Sequence, residues 1–383
     1  LKFNQPTNKE KNSMSIAKSL LLRVLFNGDG IVNFDSPDQK YLWNKLEGAG
    51  FIRHNNTMVG KARYESKKVT RQNQDKEDYE KEVYTRVPIN SADCIRHTMY
   101  EDVMRTHLPN VQHDDDWLIR TIANPAFIQR GYMFPRANKE SWKRKSSLAF
   151  GYAKGITPSV PAIETFSNSQ ERDNVEKSES GSETSFFSRE VRGQVNYEMT
   201  GVIDLAELGF ISLSDVHDRL GFHPDLDGEF IEMFKKHFKF EDTITSGYFV
   251  REGDAYEIPE QGILLGDKYV IAMVEDILKR LARFNLVRTT TGFLQTAKVE
   301  VMVVKDPLTD RVTNTDGWIN VFDNGKFSVD FLKGLKIERV YNETSIEEAI
   351  EKVRHYKELK NVDEPVVEAK PPKKPRGKKE AAA

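Results

Sequence analysis

Between Arg130 and Gly155 the chain interleaves cations, aromatic rings and glycines. Arg130-Gly131-Tyr132-Met133-Phe134-Pro135-Arg136 alternates charge and ring around one glycine. Trp142-Lys143-Arg144-Lys145-Ser146-Ser147 continues the pattern, and Phe150-Gly151-Tyr152-Ala153-Lys154-Gly155 closes it. Single-stranded nucleic acid is held by such a set: cations and hydroxyls for phosphates, flat groups for unstacked bases, glycines where backbones approach closely. A partly buried aromatic strand with a solvated cationic edge has the same composition, so the two readings compete.

The acids and histidines point to no reaction with comparable force. Asp114, Asp115 and Asp116 follow His113 and resemble a carboxylate cluster for a metal. Acids that open a helix also stabilise its free N–H groups, and that structural role is the expectation here. Asp225, Asp227 and Gly228 give a fragment of a calcium loop whose other ligand positions are missing, so a turn is expected. His97, His107 and His113 lack paired metal spacing. No Walker loop, GxSxG or strand-borne GxGxxG occurs. Asp29 and Asp35 are the two acids to watch as nuclease candidates. The expectation is a non-enzyme with no cofactor and no metal. Cys94 stands alone, which excludes an intramolecular disulfide and a cysteine zinc knuckle.

Charge is unevenly spread. The net value is −2, from 57 cations and 59 acids. The last fifteen residues carry six cations against Glu380, leaving the body acidic. Arg136 to Lys154 holds six against Glu140, and Lys61 to Arg71 holds five against Glu65. Lys61, Arg63, Lys67 and Lys68 therefore join the candidate anion-binding residues, because local excess attracts polyanions even on a neutral molecule. Ser19 to Phe26 is apolar enough to suggest a secretory core. Arg23 interrupts it and no small-residue cleavage site follows, so a strand is the better reading.

These groups need a frame. Leu20 to Phe26 predicts a central strand, and Asn27-Gly28-Asp29-Gly30 predicts a tight turn after it. Val195 to Leu205 alternates as a half-exposed strand, and Val299, Val301 and Val303 repeat that period after a loop at Arg288 to Gly292. Helices are predicted over Tyr269 to Phe284, Ser345 to Leu359 and Ser91 to Met104. The second opens with a Ser345/Glu348 capping box and carries a stripe of Ile346, Ala349, Ile350, Val353 and Tyr356. Asn55 to Arg86 reads as a long charged hairpin, and Thr165 to Arg189 as a mobile loop. The sum is α+β: an antiparallel sheet with helices on one side and two protrusions. Residues 1–13 form a loose arm, 14–360 a single core, and 361–383 a flexible basic tail.

At four places the sequence resembles the Cas seven family of RAMP proteins, backbone subunits of type I CRISPR surveillance complexes (Cascade). Leu20 to Phe34 resembles the first core strand. Asn90-Ser91-Ala92-Asp93-Cys94-Ile95-Arg96-His97 is similar to the family's Ser-Ala-x-x-φ-Arg-His helix start. Arg130-Gly131-Tyr132 with Lys143 to Leu148 resembles a segment of compact variants, and Tyr197 to Phe210 a later core strand. The compact type I-F variant and type IV backbones are the nearest members. The resemblance implies a modified ferredoxin-like, RRM-type palm with finger and thumb insertions, 55–86 being the thumb and 90–190 the fingers and mobile loop. It implies a guide-RNA (crRNA) partner that the subunit polymerises along, presenting it to target DNA. Further copies of the chain, other Cascade subunits and a helicase-nuclease effector would join it in a prokaryotic cytoplasm, with no membrane. Ser91, Arg96 and His97 would face the RNA backbone, with Arg130, Tyr132, Arg136, Lys143, Arg144 and Lys145 in the same groove. Two alternatives stand beside it: a metal-dependent ribonuclease of the type III kind, and an unrelated α+β scaffold.

Overall fold

The computed structural model describes residues 16–33, 57–58, 62–72, 78–107, 115–136, 139–156, 162–168, 185–214, 220–253, 257–288, 292–304 and 317–363. Ser19–Gly30 is the organising strand. Leu20, Leu22, Val24 and Phe26 are fully buried on one face, while Leu21, Arg23 and Leu25 are half-buried on the other. Each of those four side chains contributes about 1.5–3 kcal/mol by leaving water. The strand pairs antiparallel with Gly292–Val304 on one side and Tyr197–Asp204 on the other. From there a ten-stranded sheet extends through Ala153–Gly155 and Asp78–Asn90 to Ala62–Gln72, and in the other direction through Ile319–Asp323 to Lys326–Phe327.

The helix Asp267–Ala282 covers the buried face with Tyr269, Val270, Met273, Val274, Ile277, Leu278 and Leu281. Just beyond it, Phe284 meets Phe26 edge-on at 5.4 Å, and Thr296 Oγ1 donates to the Leu281 carbonyl. The Ala92–Met99 and Pro125–Arg130 helices then pack behind it. Gln129 Nε2 donates to Asp276 at 3.2 Å, and Arg280 lies 5.0 Å over the Tyr100 ring. A smaller antiparallel sheet joins Phe210–Ser212, Glu260–Leu265, Ile244–Arg251 and Tyr341–Thr344. Mixed α and β structure on antiparallel sheets is thus the observed class. Among the described residues no helix is long and apolar enough to cross a membrane.

Several expectations change. Asn27 to Gly30 is not a turn: the strand runs through Gly30, held on one side by pairs from Gln295 to Gly292. On the other side Val195 N donates to the Gly28 carbonyl at 2.9 Å. Glycine is required at 28 for proximity, since a Cβ there would lie 2.8 Å from the Val195 carbonyl oxygen. The segment read as a mobile loop has paired arms. Ala162–Asn168 and Ser185–Val191 form an antiparallel ribbon, and Thr57–Met58 adds to it in parallel; residues 169–184 lie outside the described residues. The charged hairpin is present as Ala62–Gln72 against Asp78–Asn90. The helix predicted from Ser91 to Met104 breaks at Tyr100 into Ala92–Met99 and Glu101–His107. Arg288 and Gly292 face each other across a hairpin whose residues 289–291 lie outside the described residues. The last helix, Ile346–Asp363, starts at the expected Ser345 cap, with Glu348 N donating to its Oγ at 3.2 Å. Its stripe is not covered as expected: Ala349 is buried, but Ile346 and Ile350 are exposed.

Candidate nucleic-acid interface

Ser91 is the N-cap of the Ala92–Met99 helix. Its Oγ accepts from Cys94 N at 3.3 Å and from Asn33 Nδ2 at 3.1 Å. The cap fixes the first turn and ties it to the segment just after the central strand. One turn on, His97 is exposed and Arg96 is half-buried, bonded to the exposed Asp93 at 2.7 Å. Arg130 ends the Pro125–Arg130 helix nearby. Burial, and next the like charge of Arg96, hold its pKa below the usual guanidinium value. Its Nε is buried and has no hydrogen-bond partner among the described residues. Asp93 is already bonded to Arg96, so the Arg130 guanidinium is left with one orphaned donor beside a second cation. An anion would give that donor a partner.

The second cationic group lies where the long hairpin meets the sheet. Arg63 is exposed and stacks 4.3 Å over the ring of Tyr152, itself 45% exposed. Lys154, also exposed, follows two residues later on the Ala153–Gly155 strand, opposite Ile89 and Glu198. Two basic runs far apart in sequence thereby meet at one aromatic ring. Tyr152 and Lys154 were not among the predicted site residues, although the segment holding them was. Arg63 links them only through the sheet.

The hairpin of Tyr132–Arg136 and Lys139–Arg144 behaves differently from expectation. Tyr132 is buried, its hydroxyl donates to the Gly221 carbonyl at 3.1 Å, and burial pushes its pKa far up. Trp142 is wholly buried beside Phe222. Arg144 is enclosed by carbonyls: its Nε donates to Ile128 at 3.1 Å, and its terminal nitrogens donate to Phe210 at 2.5 Å and to Glu207. Burial also lowers the Arg144 pKa. Tyr132 and Arg144 are therefore removed from the predicted groove, because their polar atoms are already used in joining the helices to the smaller sheet. Lys145 is exposed and Lys143 half-buried. Arg136, Lys67 and Lys68 lie on described strands, and Lys61 lies outside the described residues.

Gly131 lets this hairpin leave the helix. Its φ is +77°, and a Cβ would stand 2.6 Å from Ser146 N and 2.7 Å from the Arg144 carbonyl oxygen. Gly131→Ala is expected to cost about 2–4 kcal/mol, from strained φ together with backbone overlap. Urea unfolding measures it, and an unchanged midpoint would contradict the packing described.

Four of the candidate acids stand at helix starts or turns. Asp115 and Asp116 occupy the first turn of Asp115–Ile122, as predicted for acids that open a helix; His113 and Asp114 lie outside the described residues. Asp225 sits in the 3-10 turn Pro224–Leu226, and Asp227 opens the next helix. Asp29 is exposed on the central strand, bridged to Gln194, and Asp35 lies outside the described residues.

A family model described as type I-Fv CRISPR-associated protein Cas7fv-like matches residues 17–333. Two solved structures are similar at 9% identity and a TM-score of 0.32. One, titled "CRISPR RNA-guided surveillance complex", is matched over 90% of this chain and 84% of its own. The other, titled "CRISPR RNA-guided surveillance complex, pre-nicking", is matched over 91% and 89%. Comparison with curated proteins gives no match.

Proposed function

The chain belongs to the Cas7fv-like family of type I-Fv CRISPR-associated proteins, and from that premise we propose that it is a non-catalytic, guide-RNA-binding backbone subunit. The ten-stranded sheet with its helical layer is the RRM-type palm, and the 62–90 hairpin is the thumb. Copies follow one another along the RNA, head to tail, and hold it for pairing with target DNA. Other subunits and a helicase-nuclease effector complete the complex. Ser91, Arg96, His97 and Arg130 grip one phosphate region, with Lys143 and Lys145 on the neighbouring hairpin; Arg63, Tyr152 and Lys154 grip another. Cations fix the register on phosphates, while base pairing by the guide reads the target.

The Arg96–Arg130 pair carries this reading. A half-buried guanidinium with an unpartnered Nε beside a second cation is costly unless an anion completes it. A phosphate diester supplies that charge without a reaction. Identical copies related head to tail need not close into a ring, so the RNA's length sets their number.

Mass photometry of the protein on RNAs of increasing length tests this. Copies per RNA are expected to rise in even steps as length increases. A single copy on every length would contradict assembly along the strand.

A further inference from the structure

The open face of the central sheet changes character along its length. Near the middle it is occupied: Arg23 bonds Glu300 at 2.6 Å, lies 4.7 Å over Trp318, and Lys298 closes on Glu300 at 2.7 Å. Towards Gly30 nothing among the described residues covers it, and two cross-strand rows reach solvent. In the first, Asn285, Gln295 and Asn27 stand opposite one another. Continuing the register of Tyr197 with Phe26 brings Asn196 beside Asn27. In the second row stand Val287, Phe293, Asp29 and Gln194. Phe293 is 41% exposed and Val287 56%.

Four exposed carboxamides, one flat ring and one aliphatic thus share a shelf, with the half-buried Asn196 at its edge, whose only charge among the described residues is Asp29. A phosphate is repelled there. A protein partner would find only two apolar side chains, too few to anchor a stable interface. Carboxamides offer a donor and an acceptor each, which suits the neutral polar edges of a base, and the ring suits its face. One same-face step away, roughly 6.6 Å along the strands, the row Leu25, Glu198 and Lys154 brings in the exposed cation of the candidate interface. We propose that this end of the sheet receives an unstacked nucleobase of single-stranded RNA. Phe293 supplies the stacking surface, Gln295 and Asn27 read the edge, and the backbone passes on the Lys154 side. The inference rests on the RNA-binding reading above but concerns a different surface.

The test uses the full chain and an oligouridine carrying 5-iodouridine. Irradiation is expected to place an adduct on the tryptic peptide containing Phe293. Phe293→Leu, which keeps apolar bulk but loses the flat face, is expected to weaken binding about 5- to 150-fold. Phe293→Tyr is expected to bind as the parent does. Neither change should alter the salt dependence. Unaltered affinity in Phe293→Leu with adducts only elsewhere would overturn the shelf while leaving RNA binding intact. A Phe293→Leu effect confined to the size of the RNA-free protein would also overturn it, assigning the surface to contacts between copies. Salt-independent, negligible binding by the parent protein would remove both this inference and the RNA-binding reading.

Discussion

Changing Arg63, Arg96, Arg130 and Lys154 together to glutamine is expected to lower affinity for single-stranded RNA by about 10²- to 10³-fold at 0.1 M salt. The magnitude follows from counterion release. Each phosphate contact on a single strand contributes a slope of about 0.7 in log K against log salt, hence about 0.7 log units at that concentration. Four contacts give nearly three log units, and the slope itself should fall by about three. All four cations are exposed or half-buried, so the fold should survive, and circular dichroism checks that. An undiminished slope would show that these cations do not meet phosphates.

Arg144→Met should act on stability and leave RNA binding alone. The guanidinium spans carbonyls from Ile128, Glu207 and Phe210, which belong to two helices and to the strand after the second. Methionine fills much of the volume but leaves three acceptors without donors, at about 1–3 kcal/mol for each group that water cannot reach. A net loss of roughly 3–5 kcal/mol is expected, read from denaturant midpoints. The refolded variant should retain the parent's salt slope. Loss of RNA affinity with stability intact would return Arg144 to the groove. The contrast matters because the two kinds of arginine look alike in sequence: Arg144 lies between Lys143 and Lys145 in a run that reads as one cationic patch.

That run shows where sequence reading stops. Composition reports which groups are present, and only packing decides which face inward. Tyr132 and Trp142 carry the rings expected of a base-binding surface, yet both lie inside, because the hairpin is roofed by Gly221 and Phe222 from another part of the chain. The central strand was legible, since Leu20 to Phe26 is apolar over seven residues except for Arg23. Gly28 and Gly30 were misread as a turn. Asn-Gly and Asp-Gly favour turns locally, but partner strands on both sides override that preference. The long helices were legible from their period and caps, with Ser345 and Glu348 as the clearest case. The exposure of Ile346 and Ile350 was not, because a stripe does not reveal what covers it. Ser91, Arg96 and Arg130 could be picked out singly, but their convergence depends on two helix ends meeting. The carboxamide shelf had no signal at all. Its residues come from 27–29, 194–196, 285–287 and 293–295 and meet only through strand register.

The central claim is that this chain exists to grip a ribose-phosphate strand. Its most direct test is the absorbance spectrum and size distribution of the purified protein before and after ribonuclease. The account predicts large particles with absorbance shifted towards 260 nm, collapsing to small, 280 nm-dominated species on digestion. Particles that carry no nucleic acid, or whose size ignores ribonuclease, would contradict it.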